Sequence, residues 1–239
     1  MIDFHTHILP GIDDGAVDES VSIEMIDILN KNKITDIILT PHFYSDVQSL
    51  DDFISQRDKK YSELLKNYKG DVKLHLGAEV FISEYLSRYQ DLSCVCIGRE
   101  KKYMLLELPL SSKLSSQELK IIETLIFDYQ ITPIIAHVER YSFMSSYSIK
   151  DLSKIDALIS LGCFIQVNAE SFLVKNNKLK KFVLFLLETD RAHLLGSDSH
   201  DLKIRTPENY YKAIEVINSK LGQDCLDRIK NYEDKIIKK

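Results

Sequence analysis

Residues 1–15 read MIDFHTHILPGIDDG, and the rest of the chain is organised around them. Ile2 to Phe4 reads as a short strand that runs into His5-Thr6-His7 and breaks at Pro10, Gly11 and the Asp13-Asp14-Gly15 turn. Residues i and i+2 of a strand point to one side, so His5 and His7 present two imidazoles together. Asp14, in the loop just beyond, can add a carboxylate. Neutral imidazoles with carboxylate oxygens suit a divalent ion of the zinc, manganese or iron type and suit calcium poorly. A lone His-x-His is as often an ordinary surface or half-buried pair, so the remaining sequence has to decide.

Working outward, short apolar runs alternate with longer amphipathic stretches, the pattern of βα units. Strands are expected at Ile34 to Thr40, Val72 to Ala78, Tyr103 to Leu106, Ile131 to Ala136, Cys163 to Val167 and Ala192 to Gly196. Helices are expected at Asp18 to Lys31, Asp51 to Asn67, Ser115 to Asp128, Ile149 to Leu161, Lys178 to Glu188, Pro207 to Ser219 and Gln223 to Lys235. Seven strand–helix units predict an α/β fold, a distorted seven-stranded (β/α)7 TIM-like barrel formed as one domain over residues 1–239. A doubly wound sheet is the competitor, but the place of its glycine-rich phosphate loop is taken by histidines.

The polar residues then fall into register. His5, His7, His42, Glu79, Glu107, His137, Asp198 and His200 each stand at or just past the C-terminal end of an expected strand. In a parallel barrel those ends share one rim, where active sites are built. Five of the seven histidines lie there; His75 and His193 lie within or at the start of strands and are expected to be structural. So many donors exceed the needs of one ion, and two or three ions with Glu79 as a bridge fit better. Arg140 and Arg205 follow two of the strand ends and offer bidentate forks for phosphate oxygens. The competing use of each is pairing with acidic neighbours, Glu139 for Arg140 and Asp201 or Glu208 for Arg205. Metals with arginines point to a phosphate ester hydrolysed by a metal-bound hydroxide.

Composition excludes several classes. The 239 residues are 44% hydrophobic and 28% charged, with a formal net charge of -5. That balance gives no basic footprint for nucleic acid, and no apolar run reaches the ~18 residues of a membrane span. No export signal is evident, so a cytoplasmic protein without membrane insertion is expected. Cys94, Cys96, Cys163 and Cys225 form neither a zinc clip nor a disulfide framework, and no C-x5-R phosphatase loop is present.

HTHILPGIDDGA, TPHF, LGAEV, LLELP, AHVERY, QVNAES and GSDSH, in order over residues 1 to about 205, resemble the polymerase-and-histidinol-phosphatase (PHP) superfamily. Within it they are most similar to the bacterial protein-tyrosine phosphatases encoded with capsule and exopolysaccharide genes. The resemblance implies three divalent ions, commonly manganese, with iron or zinc as alternatives. It implies one site of His5, His7, Glu79 and Asp198, a second of Glu79, Glu107 and His137, and a third of Asp14, His42 and His200. Arg140 and Arg205 match the family's phosphate-binding arginines. The implied reaction is hydrolysis of phosphotyrosine by a metal-bridging hydroxide, on the tail of a bacterial tyrosine kinase that controls polysaccharide export. Asn168 and Tyr141 are open between pocket lining and packing, and no general acid is assigned. A homo-oligomer through the helix DESVSIEMIDIL is the family's suggestion, against which stands simple packing of its apolar stripe on the barrel. The alternatives are a histidinol-phosphate phosphatase, a nuclease, an amidohydrolase and a non-catalytic metal-binding scaffold that docks on a kinase.

Overall fold

The first strand, β1 (Ile2–Thr6), is wholly buried and pairs in parallel with β2 (Asp36–Leu39) after the crossover helix α1 (Glu19–Lys31). The computed structural model describes residues 1–237; the last two residues of the expected 1–239 domain lie outside the described residues. The chain continues through β3 (His42–Phe43), α2 (Leu50–Asn67), β4 (Lys73–Leu76), β5 (Glu79–Phe81), β6 (Tyr103–Glu107) and α3 (Ser116–Phe127). It then runs through β7 (Thr132–Ile135), α4 (Ser153–Ser160), β8 (Phe164–Asn168), α5 (Asn177–Glu188), β9 (Leu194–Gly196), α6 (Glu208–Leu221) and α7 (Gln223–Ile237).

Every strand pairing is parallel among the described residues, in the orders β1-β2-β4 and β3-β5-β6-β7-β8-β9. The strand count differs from the seven expected for a local reason. The second and third expected strands end near their expected limits as β2 and β4, and after the breaks at Thr40-Pro41 and Gly77-Ala78 the chain resumes strand beyond those limits as β3 and β5. Pro41 has no N–H for the ladder, yet its carbonyl still accepts from Glu79 N–H (3.0 Å) and keeps the two halves in line. The sheet curls far enough for Asp198 N–H to donate to His5 O (2.8 Å) and His7 N–H to donate to Ser199 O (3.0 Å).

Inside the curl lies an apolar floor of Ile2, Phe4, Ile38, Ile97, Leu105, Ile134, Ala136, Phe164, Leu194 and Ile236. Strand alternation carries that inward face upward: Ile38 leads to His42, Leu105 to Glu107, and Leu194 to Asp198. The outward faces pack under the helices in the larger core, with Met25, Ile26 and Leu29 of α1 among its members. The apolar stripe of α1 is therefore spent on internal packing. Helix α7, which carries no motif, seals the floor: Ile236 joins the inner cluster, and Tyr232 lies edge-on to Phe164 and His193.

Local chemistry sets the helix ends. Asp18 and Ser49 cap α1 and α2, and Ser115 with Glu118 forms a full capping box on α3. The helix expected from Ile149 starts only at Ser153. Tyr147 adopts φ 47° and Asp151 takes the Ser153 N–H and hydroxyl, so the chain turns there instead of coiling.

Candidate metal centre

Three departures from regular strand geometry aim donors into the mouth. Strand β1 holds one extra residue against β2 between Asp3↔Ile37 and Thr6↔Leu39. That bulge lets Phe4 face the floor while His5 and His7, of opposite parity, also turn inward. His137 follows β7 with φ 29° and Asp198 follows β9 with φ 52°. Left-handed backbone at a non-glycine residue costs roughly 1 kcal/mol or more and is retained mostly where function needs it. Two glycines give the cluster room. A Cβ on Gly15 would stand 1.9 Å from His7 O, and one on Gly196 would stand 2.5 Å from His5 Cβ.

The structure brings all nine expected donor residues together. His5 Nε2 and His7 Nε2 are 3.1 Å apart, and Glu79 Oε2 lies 3.2 and 3.3 Å from them. Asp198 Oδ1 is 3.5 Å from both imidazoles. Glu79 Oε1 meets His137 Nε2 at 2.9 Å, with Glu107 Oε1 3.6 Å from the same nitrogen. On the other side of Glu79, Oε2 is 3.0 Å from His42 Nδ1. Asp14 Oδ1 is 3.5 Å from His42 Nε2 and 3.3 Å from His200 Nε2. Ligand atoms of His7, Asp14, His42 and His200, of His5, Glu79 and His137, of His5, His7 and Asp198, and of His42, Glu79 and Glu107 form four overlapping groups.

Donors bound to one ion at ~2.0–2.2 Å stand roughly 3 Å from each other, which is the spacing seen here. Buried His42 Nδ1 and His200 Nε2 form no hydrogen bond, although carboxylate oxygens stand 3.0 and 3.3 Å away. The donor set, nitrogen and carboxylate oxygen without thiolate, fits manganese, iron or zinc.

Charge balance points the same way. Burial, reinforced by Glu79, pushes the Glu107 carboxyl up to about 7. Burial resists charge on His7, but its bonds to Asp13 and Glu79 lift it to about 10. Burial, with His7 and Arg205 nearby, drives His200 down to about 4. Against the cost of burial, His5 and its neighbours hold Glu79 and Asp198 below the usual carboxylate range. Neighbours driven in opposite directions within one cavity form a coupled set that protons balance poorly and divalent cations balance directly.

A supporting layer holds the imidazoles. Asp13, absent from the sequence expectation, takes His7 Nδ1 at 2.8 Å and accepts N–H bonds from Gly15 (3.0 Å) and His42 (3.1 Å). Its only sequence signal was adjacency to Asp14. Gln166 Oε1 sits 3.3 Å from His5 Nδ1 and accepts the His137 N–H at 2.8 Å. Asn168 Nδ2 donates to Asp198 Oδ2 at 2.7 Å, which gives it a polar role in the mouth. Tyr141 is fully buried, and its hydroxyl accepts Leu108 N–H, so its role is packing.

Both arginines turn to Asp198 Oδ2, Arg140 Nη1 at 3.0 Å and Arg205 Nη2 at 2.5 Å, with about a third of each side chain exposed. Their acidic neighbours are engaged elsewhere. Glu139 accepts from Asn168 N–H and Ser171 hydroxyl, and Asp201 accepts backbone N–H groups of Lys203, Ile204 and Arg205. His75 pairs with Asp36 at 2.8 Å, and His193 Nδ1 accepts Ile165 N–H at 2.9 Å, as structural histidines would. All four cysteines are free, and burial pushes Cys96 and Cys163 up to about 12, unfit as nucleophiles.

Tyrosine-protein phosphatase YwqE of Bacillus subtilis is 31% identical over 238 residues, covering 94% of this chain and 86% of its own. Tyrosine-protein phosphatase CpsB of Streptococcus pneumoniae is 25% identical over 230 residues, covering 93% and 91%. A crystal structure from the work on these two proteins, described as unique metal-dependent tyrosine phosphatases, superposes with a TM-score of 0.77 at 27% identity, covering 98% of this chain and 93% of that one. Histidinol phosphate phosphatase of Lactococcus lactis, at 16% identity and a TM-score of 0.57, shares the fold. With residues 1–238 matching the family described as capsular polysaccharide synthesis, CpsB/CapC, the chain belongs to that family.

Proposed function

We propose that this chain is a metal-dependent protein-tyrosine phosphatase, built as one PHP-type domain on a distorted seven-stranded (β/α)7 barrel. The observation that carries the reading is the convergence of overlapping histidine and carboxylate sets on Glu79, beside two guanidiniums that meet at Asp198. Three ions suit the donors: one held by His5, His7, Glu79 and Asp198, one by Glu79, Glu107 and His137, and one by Asp14, His42 and His200. Manganese is the preferred occupant, with iron or zinc as alternatives. When bound, the ions supply Lewis-acid charge and an activated water for attack on phosphorus.

The chain's own residues do the rest. Arg140 and Arg205 offer fixed forks to the non-bridging phosphoryl oxygens, cancelling charge that develops there with little reorganisation. Asn168 holds Asp198 in place beside the two arginines. Asp13 and Gln166 fix the ring orientation of His7 and His5. A phenolate, whose conjugate acid has a pKa near 10, departs more easily than a serine alkoxide, so a dedicated general acid is less necessary, and none is assigned. Family membership points to a phosphotyrosine-bearing protein of capsule synthesis as substrate, and a bacterial tyrosine kinase tail is the form we favour.

The test is turnover of a phosphotyrosine peptide by protein stripped with chelator and then reloaded with manganese. Stripping should lower activity at least about 100-fold, reloading should restore it, and thiol alkylation should leave it intact. Full activity in the stripped protein, or loss on alkylation, overturns the reading.

A further inference from the structure

We propose that Tyr44 and Phe81 form an aromatic ledge at the mouth that receives the phenyl ring of the substrate and so sets the preference for phosphotyrosine over phosphoserine. The inference rests on the phosphatase reading above and deepens it. Strands β3 and β5 pair with His42 opposite Glu79 and Phe43 opposite Val80. Phe43 and Val80 are fully buried in the outer core. Two residues past each donor, alternation returns the chain to the mouth face, and there stand Tyr44 and Phe81.

The contacts agree. The Tyr44 ring centroid lies 5.2 Å from that of His42 and 5.6 Å from that of Phe81. Phe81 is opposite Glu107 in the next strand pairing, so the ledge also borders the second carboxylate. Both rings are only half-buried, which leaves aromatic surface open beside the donors.

The height of the ledge matches the chemistry of the ester. Two residues along a strand amount to roughly 7 Å. A phosphoryl group held at the level of His42 and Glu79 therefore carries its next substituent up to the level of Tyr44 and Phe81. In phosphotyrosine that substituent is a flat ring, which packs edge-to-face or offset against aromatic neighbours. In phosphoserine it is a methylene followed by peptide backbone, which gains little from the rings. The arginines pair with Asp198 and offer their forks to the phosphoryl group, which both substrates share.

The experiment compares two peptides of one sequence, phosphorylated on tyrosine or on serine, with manganese-loaded enzyme. Tyr44→Leu and Phe81→Leu should each lower kcat/KM for the tyrosine peptide several-fold more than for the serine peptide, and the double variant about tenfold more. Tyr44→Phe, which keeps the ring, should hold the ratio of the two substrates within about twofold of the parent. Manganese content, measured on each variant, should match the parent. An equal loss on both peptides, a fall in bound manganese, or no change in the ratio overturns the ledge. Failure of the unmutated, loaded protein on both peptides would instead bring down the phosphatase reading beneath it.

Discussion

Histidines at the two ends of the curled sheet live in opposite circumstances. At the floor, His193 has one backbone donor on Nδ1 and lies edge-on to Phe164 and Tyr232, with ring centroids 5.3 and 4.9 Å away. Burial drives it down to about 4, and it stays neutral. At the mouth, His7 lies 3.9 Å from His200 and 4.5 Å from His42, ring centroid to centroid, with three carboxylates in reach. One end satisfies each imidazole with a single fixed partner; the other crowds imidazoles and carboxylates until their lone pairs share a common space. The lesson is that burial alone does not separate a structural histidine from a candidate ligand, since both ends are buried. The number of donors competing for one position does.

The sharpest way to break that contrast is Asp198→Asn. It removes the charge that Arg140, Arg205, His5 and His7 all face, and kcat/KM for a phosphotyrosine peptide should fall about 10²- to 10³-fold. Retention of more than a tenth of the activity would mean the mouth is no more specialised than the floor.

Next in size is Asp13→Asn, which touches no expected ion. Because Asp13 is held down to about 2, its His7 bond outweighing burial, the carboxylate orders His7 at any working pH. Its loss should weaken manganese binding about 10- to 100-fold in a metal titration. Unchanged affinity would demote the supporting layer to packing.

A third test probes the floor. A histidine whose folded pKa is lowered from 6.5 to about 4 remains neutral in the fold while the unfolded chain takes up a proton. Stability is then intact above pH 6.5 and is lost as pH falls toward 4, by at most about 3 kcal/mol. Denaturant melts of metal-free protein across that window should show this slope, and His193→Gln should flatten it by that amount. Parallel pH curves for the two proteins would show that His193 is not held neutral.

Eight of the nine candidate donors were legible in the sequence because each is a polar residue at or just past the end of an apolar strand run, where the C-terminal rim takes it; Asp14 was legible only as a carboxylate in the loop beyond the first strand. The arginines were legible as fixed cations a few residues further on, although only the structure excludes Glu139 and Asp201 as their partners. What sequence could not supply depends on contacts distant along the chain. The bulge that turns His5 inward exists because β1 must follow β2 while reaching the segment after β9. Gln166 sits in the apolar run CFIQV and reads as an outlier until His5 and His137 are placed on either side of it. Asp13 and Asp14 are chemically identical neighbours, and only the loop's return onto His7 assigns them different work. The breaks that part β2 from β3 and β4 from β5 follow from Pro41 and Gly77-Ala78, signals that were visible, though the alignment across the gaps was not.

The seam at which Thr6 meets Ser199 has a consequence for biosynthesis. His5 and His7 of β1 and its exit acquire Asp198 and His200 only once the chain beyond β9 has been made, and Ile2 is clamped by Tyr210 of α6 and Glu233 of α7. A nascent chain therefore carries an unfinished cavity until the residues after β9 and those of α6 and α7 have joined it.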